Sequence, residues 1–179
     1  MALTALVYTF QIQLSDVDRG VYETLSFKAA QHPSETDEFL VTRVLAYCLE
    51  YQEGIAFSRG LAEPDEPAIA VRDLSGALKV WIEIGSPDAA RLHKASKASP
   101  RVAVYTHRDP QQLVRQLSDE RIHKRELLFV SGFSRELIEG LTVRLERRTT
   151  FDMSVNEGHI YLTFGAATIE GQVERVSLS

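Results

Sequence analysis

EPDEPAIAVRDLSGALKVWIEIGSPDAARLHKA, residues 63–95, decides the fold. The apolar runs AIAV and ALKVWIEIG, separated by DLSG, read as two strands joined by a tight turn. In the second run Leu78, Val80, Ile82 and Ile84 alternate with Lys79, Trp81 and Glu83, the period of two of a strand with one buried face. Pro87 then opens a helix that runs to about Ala98. With Leu74 and Ser75 as the central turn residues, Glu66 falls opposite Glu83 and Asp65 opposite Ile84. Directly opposed side chains have Cβ atoms about 5 Å apart, so two bare carboxylates there repel one another. Mg²⁺ or Mn²⁺ would relieve that repulsion, since hard cations are held by one or two carboxylates plus waters and substrate phosphates. A turn one residue longer would shift the register and let Asp65 or a bulge supply the second ligand.

Downstream the pattern alternates: the strand VAVYTH, a helix from about Pro110, the strand ELLFVSGF and a short helix near Ser134–Gly140. Alternation of this kind favours a mixed sheet flanked by helices. Upstream, HPSETDEFLVTRVLAYCLEYQE spans residues 32–53. Ser34 and Asp37 have the form of a capping box, Val41, Val44, Leu45, Cys48 and Leu49 form an apolar stripe, and Gly54 is placed to end the helix. Glu38 points toward the edge of the packed face and Glu35 lies one turn earlier, so either could add a carboxylate to the proposed metal site. Acids at a helix N-terminus are also favoured by the helix dipole alone.

At the ends of the chain, Leu6, Tyr8, Phe10, Ile12 and Leu14 alternate with polar residues, and after a turn at Asp16–Gly20 the alternation resumes with Val21, Leu25, Phe27 and Ala29. From Val143 onward VRLERRTTFDMSV, HIYLTF and ATIEGQVERVSL are strands as well. The expected architecture is therefore α+β. An α/β core over about residues 33–142 packs beside an antiparallel β layer from about residues 2–30 and 143–178, in one compact unit of 179 residues.

Composition narrows the function. The net charge of -5 argues against a general affinity for polyanions. The charge is uneven: residues 1–90 carry 6 basic and 14 acidic side chains, residues 91–148 carry 13 basic and 7 acidic, and the remainder 1 basic and 4 acidic. A localised contact with nucleic acid at the basic segment is compatible with that division. The single cysteine, Cys48, excludes an intrachain disulfide framework, suits a reducing cytoplasm, and lies in an apolar stripe as a small core residue. No apolar run approaches the roughly 18 residues needed to span a bilayer, and MALTALVYTF lacks a basic leader and reads as a strand, so no membrane role is expected. GxSxG, Walker A and GxGxxG patterns are absent, and His32, His93, His107, His123 and His159 show no paired zinc spacing.

Acids on neighbouring strands, an acid on the preceding helix and a lysine near the attacked phosphate are the parts of a metal-dependent phosphodiesterase. The lysine is displaced here. The position two residues after Glu83 is Gly85, and Lys79 is four residues away, about 13 Å along a strand. Lys94, on the helix that begins at Pro87, is the candidate replacement, with Arg91 and Lys97 as possible phosphate contacts.

Taken together, HPSET with Glu38 and Arg43, FSRGL, DEP, and WIEIGSPDAARLHKA resemble the YaeQ family over nearly the whole chain. That family is similar in fold to the PD-(D/E)xK nuclease superfamily, with an added antiparallel layer. The resemblance implies that Asp65 or Glu66 stands at the PD position, Glu83 at the (D/E) position and Glu35 or Glu38 at the helix acid, with Gly85 in place of the motif lysine. It implies either a divalent-metal nuclease acting on nucleic acid or a module that kept the fold, lost the chemistry and binds or regulates.

Overall fold

The computed structural model describes residues 4–58 and 65–179; residues 59–64 of the expected SRGLAEPDEP loop and the first three residues lie outside the described residues. Two long strands open the chain, β1 (Leu6–Asp16) and β2 (Val21–Gln31), paired antiparallel with Phe10 opposite Phe27. Their rings stack at 5.5 Å, the cross-strand aromatic contact that the alternation predicts.

Helix α1 (Asp37–Leu49) follows. Its N-cap is Thr36 and not Ser34: the Thr36 side chain accepts from the Phe39 amide, whereas Ser34 Oγ is held 2.7 Å from His32 Nδ1 in the turn before the helix. Leu40 to Cys48 are all buried, so the expected stripe is in fact an entire circumference. A helix buried all round, and apolar there but for Thr42 and Arg43, must be enclosed, and this one is the centre of the molecule. It ends at Glu50, and Gly54 serves the next turn, where φ is +92° and a Cβ would lie 2.0 Å from the Arg72 carbonyl oxygen.

A short strand that the sequence reading passed over, β3 (Ile55–Phe57), pairs antiparallel with β4 (Ile69–Arg72), and β4 pairs antiparallel with β5 (Leu78–Ile84). Helix α2 (Ala89–Ala98) crosses to β6 (Arg101–Thr106), parallel to β5; α3 (Pro110–Gln116) crosses to β7 (Phe129–Phe133), parallel to β6. Helix α4 (Arg135–Thr142) leads to β8 (Arg148–Asn156), β9 (His159–Phe164) and β10 (Ala167–Ser177). The observed class is mixed α+β, as expected.

The terminal strands do not form the separate antiparallel layer that was expected. β10 pairs with β9 at one end and with β7 at the other, so the described strands make one ten-stranded sheet in the order β2-β1-β8-β9-β10-β7-β6-β5-β4-β3. Within it β1 and β8 run parallel, Phe10 beside Thr149. The reason is length: β10 has 11 residues and spans both halves. The sheet curls around α1 and α4, enclosing a core that includes Phe10, Leu45, Ile82, Leu141 and Phe151. A second, smaller core lies on the outer side of β5, β6 and β7, where Trp81, Leu92, Val104, Leu113 and Val130 meet beneath α2 and α3.

The β4–β5 register differs from expectation. Ile69 pairs with Ile82 and Val71 with Val80, and the pairing slips at a bulge between Val71 and Arg72. The Asp73 amide donates to the Ala77 carbonyl, so the turn holds three residues, closed by Asp73 Oδ1, which accepts from the Ser75 and Ala77 amides. Bulge and longer turn together move the register two positions, and Glu66 does not face Glu83.

Candidate functional site

Helices α1 and α2 both begin at one end of the molecule, and a cleft of about 380 Å³ opens there, lined by residues that include His32, Phe39, Arg43, Glu66, Glu83 and Arg91. The side chain at its base is Glu83, the penultimate residue of β5 and 4% exposed. Trp81 shares its face, and the indole N–H donates to Glu83 Oε1 at 2.7 Å. From α2 the Arg91 Nε donates to Oε2 at 2.7 Å, while Arg91 Nη2 donates to the Glu66 carbonyl oxygen at 2.7 Å and the guanidinium carbon lies 5.6 Å from the Trp81 ring. The hydrogen bond to Glu83 raises the Arg91 pKa above its usual range. Arg91 is positioned by the start of its own helix, because Asp88 caps α2 and accepts from the Arg91 amide at 2.8 Å. One guanidinium thereby ties the end of β5, the segment before β4 and α2 together.

The remaining candidates divide. Lys94, one turn beyond Arg91, pairs with Asp65, both side chains exposed. Glu66 is exposed and Lys97 is exposed in the last turn of α2, away from the cleft. Glu35 is 9% exposed and bound to Arg43, whose Nε donates at 2.9 Å; Arg43 also donates to the Ala30 carbonyl at 2.7 Å and lies over the Phe57 ring. Burial outweighs Arg43 and raises the Glu35 pKa. Glu38 is half-buried, and no part of it lines the cleft. Two separate ion pairs therefore stand along α2, Glu83 with Arg91 in the cleft and Asp65 with Lys94 in solvent outside its lining, while Glu35 is closed by Arg43 and Glu38 does not line the cleft.

That donor set does not fit a divalent cation as it stands. Both oxygens of Glu83 already accept from the protein, Asp65 is salt-bridged, and among the described residues no group of three or more His, Cys, Asp and Glu side chains could hold a metal. Gly85 is as closed to the motif lysine: its φ is +98°, and a Cβ there would sit 3.0 Å from the Phe39 ring. The histidine beside the cleft is His32 and not His93, whose Nδ1 accepts from the His123 amide and ties α2 to the following loop. Cys48 is buried and its thiol pKa is pushed up by desolvation, in keeping with a packing role.

The sequence reading missed the Trp81 hydrogen bond, although the period of two that puts Trp81 and Glu83 on one face was the available signal. It also missed the pairing of Glu35 with Arg43, which joins a turn to a helix and has no fixed spacing.

A mixed sheet curled around a buried helix, with paired acids and arginines where two helices begin, defines an α+β protein with a polar cleft and no helix, among the described residues, long and apolar enough to cross a membrane. The family model described as YaeQ protein matches residues 1–173, and the chain belongs to the YaeQ family. It is 30% identical over 164 residues to the "Uncharacterized protein YaeQ" of Escherichia coli strain K12, covering 91% of each chain. The protein of the same description in Salmonella typhi is 29% identical over 174 residues, covering 97% of this chain and 96% of the other. The crystal structure of YaeQ protein from Xanthomonas axonopodis pv. citri is similar with a TM-score of 0.87 at 31% identity, covering 97% of this chain and 99% of that one. The crystal structure of YaeQ protein from Pseudomonas syringae gives 0.84 at 30%, covering 97% and 96%.

Proposed function

We propose that this protein is a non-catalytic binding module built on a nuclease-like core of about residues 33–142, working in the cytoplasm, with a guanidinium where a nuclease would hold a metal. The observation that carries this reading is the Glu83 carboxylate, whose two oxygens accept from Trp81 and Arg91. The partner is a nucleic-acid backbone contacted locally along the exposed face of α2 by Lys94 and Lys97, since the overall charge of -5 supplies no broad basic surface. In support of the nuclease-like ancestry stands the order of elements: α1, the meander β3-β4-β5, the crossover α2 and β6 parallel to β5.

A second reading, a Mg²⁺- or Mn²⁺-dependent phosphodiesterase, draws on Glu83 lying in the cleft beside Glu66, on the Asp65–Lys94 pair farther along α2, and on Arg91 being 27% exposed, so that its head has room to swing away. Titration calorimetry with Mn²⁺, run beside cleavage assays on single- and double-stranded DNA and RNA with either metal, separates the two. Anisotropy titrations in which Lys94→Gln/Lys97→Gln weakens DNA binding, with no cleavage and no micromolar Mn²⁺ binding, fit the binding module. Micromolar Mn²⁺ binding and cleavage that both vanish in Glu83→Ala would overturn it in favour of the enzyme.

A further inference from the structure

A cavity larger than the Glu83 cleft lies elsewhere. Helices α1 and α2 both end at the opposite pole of the molecule, where about 530 Å³ of space is enclosed between the starts of β6 and β7, the β1–β2 and β8–β9 turns, and the far end of β10. A helix of 13 residues is about 20 Å long, so this cavity and the Glu83 cleft are separated by roughly that length. The volume lies within the range of about 300–1,000 Å³ typical of small-molecule sites.

Its carboxylates are already satisfied. Glu50, 5% exposed, accepts from both Arg101 Nη atoms at 2.6 and 2.9 Å and from the Tyr105 hydroxyl at 2.7 Å. Asp16 accepts from Arg19 Nε at 2.8 Å, and Asp18 accepts from the amides of Glu157 and Gly158 at 2.6 and 3.0 Å. These pairs make polar walls with fixed geometry. The cations that remain are Lys124 and Arg175. Neither has a carboxylate partner among the described residues; Arg175 lies 4.5 Å over the Phe129 ring, and Lys124 is held at φ 52°, in the left-handed region that a side chain of its kind seldom adopts. Leu49, Val102, Leu128, Phe129, Val155 and Val173 supply an apolar lining. Ser96, 8% exposed and lining the same space, has a buried Oγ with no hydrogen-bond partner.

We propose that this cavity binds a small amphipathic organic anion, a carboxylate or a phosphate ester, with its charged head between Lys124 and Arg175 and its apolar body on the lining. The site is independent of the Glu83 cleft and of its proposed function. The probe that tests it is 8-anilinonaphthalene-1-sulfonate, which is both apolar and anionic and fluoresces on leaving water.

The native protein should bind the dye saturably at one site, and Lys124→Asn/Arg175→Gln should weaken binding by about tenfold. Asn tolerates the left-handed backbone at position 124. A charge-matched control, Lys28→Gln/Arg115→Gln, removes two exposed cations that do not line the cavity and should leave the affinity unchanged. If the double variant melts below the control, Lys124→Asn alone should show the same direction with a smaller loss. Displacement of the dye by hexanoate but not phenyl phosphate assigns a carboxylate head, and the reverse assigns a phosphate. Absence of saturable binding, equal weakening in the control, or displacement by neither competitor overturns the proposal.

Discussion

The two ends of α1 carry two clefts made from the same residue types and put to opposite use. At the N-terminal end each buried acid has its own arginine, Glu35 with Arg43 and Glu83 with Arg91, and a ligand must displace an internal partner to reach either. At the C-terminal end Glu50 and Asp16 are likewise closed by Arg101 and Arg19, but Lys124 and Arg175 line the cavity with no carboxylate partner among the described residues. A closed pair has its donors and acceptors filled within the fold, whatever its burial costs. An exposed cation beside an apolar lining keeps its donors for water or a ligand, and that difference, not the count of charges, separates a site that holds the structure from one that can take a ligand.

The contrast predicts a graded set of losses. Glu35→Ala should be the most costly, about 3–5 kcal/mol in urea denaturation, because it leaves the Arg43 guanidinium buried and unpaired. Glu83→Gln keeps the shape but sets an amide N–H against either Trp81 or Arg91, for about 1–3 kcal/mol, read as a lower urea midpoint at unchanged m. Parity of these variants with Lys124→Asn, for which no loss is expected, would erase the distinction between closed pairs and open cations.

Tyr105→Phe should cost about 1 kcal/mol by depriving Glu50 of one donor. It also has a pH signature. Burial, with Glu50 adding, raises the Tyr105 pKa well above 10.0. The unfolded chain therefore releases that proton first, so this contribution to stability is intact below about pH 10 and is lost as pH rises toward the folded value. Thermal melts from pH 8 to pH 11 should show a steeper alkaline decline in wild type than in Tyr105→Phe. Among the paired residues the smallest loss should come from Asp65→Asn/Lys94→Gln, within about 1 kcal/mol, because both side chains are largely in water. A larger drop in the melting temperature would mean that this pair belongs with the closed ones.

Most strands and helices were legible because their signals are local: alternation in β1 and β5, Pro87 and Pro110 at the openings of α2 and α3, and the turn residues between them. What escaped depends on contacts distant in sequence. The β4–β5 register turned on one bulge and one extra turn residue. The full burial of α1 depended on a sheet assembled from both ends of the chain, and β3 is three residues long, too short to show a period. The candidate site was half legible for the same reason. Sequence spacing puts Arg91 and Lys94 on one side of α2 and Glu83 beside Trp81, but not Arg91 onto Glu83 or Arg43 onto Glu35. The cavity at the far pole draws on segments from Asp16 to Arg175, and no motif marks such a set.

The parallel ladder between β1 and β8, Thr9 beside Arg148, sets the order of events during synthesis. The β1–β2 hairpin leaves the ribosome well before β8, so one edge of β1 has no neighbour until about 140 further residues have been made, on the order of ten seconds or more at 5–20 residues per second. For that interval an apolar strand with Phe10, Ile12 and Leu14 presents an unpaired edge, and pairings so remote in sequence are also slow to close. Expression yield should thus respond more to chaperone supply and to changes in β1 than native stability alone would indicate.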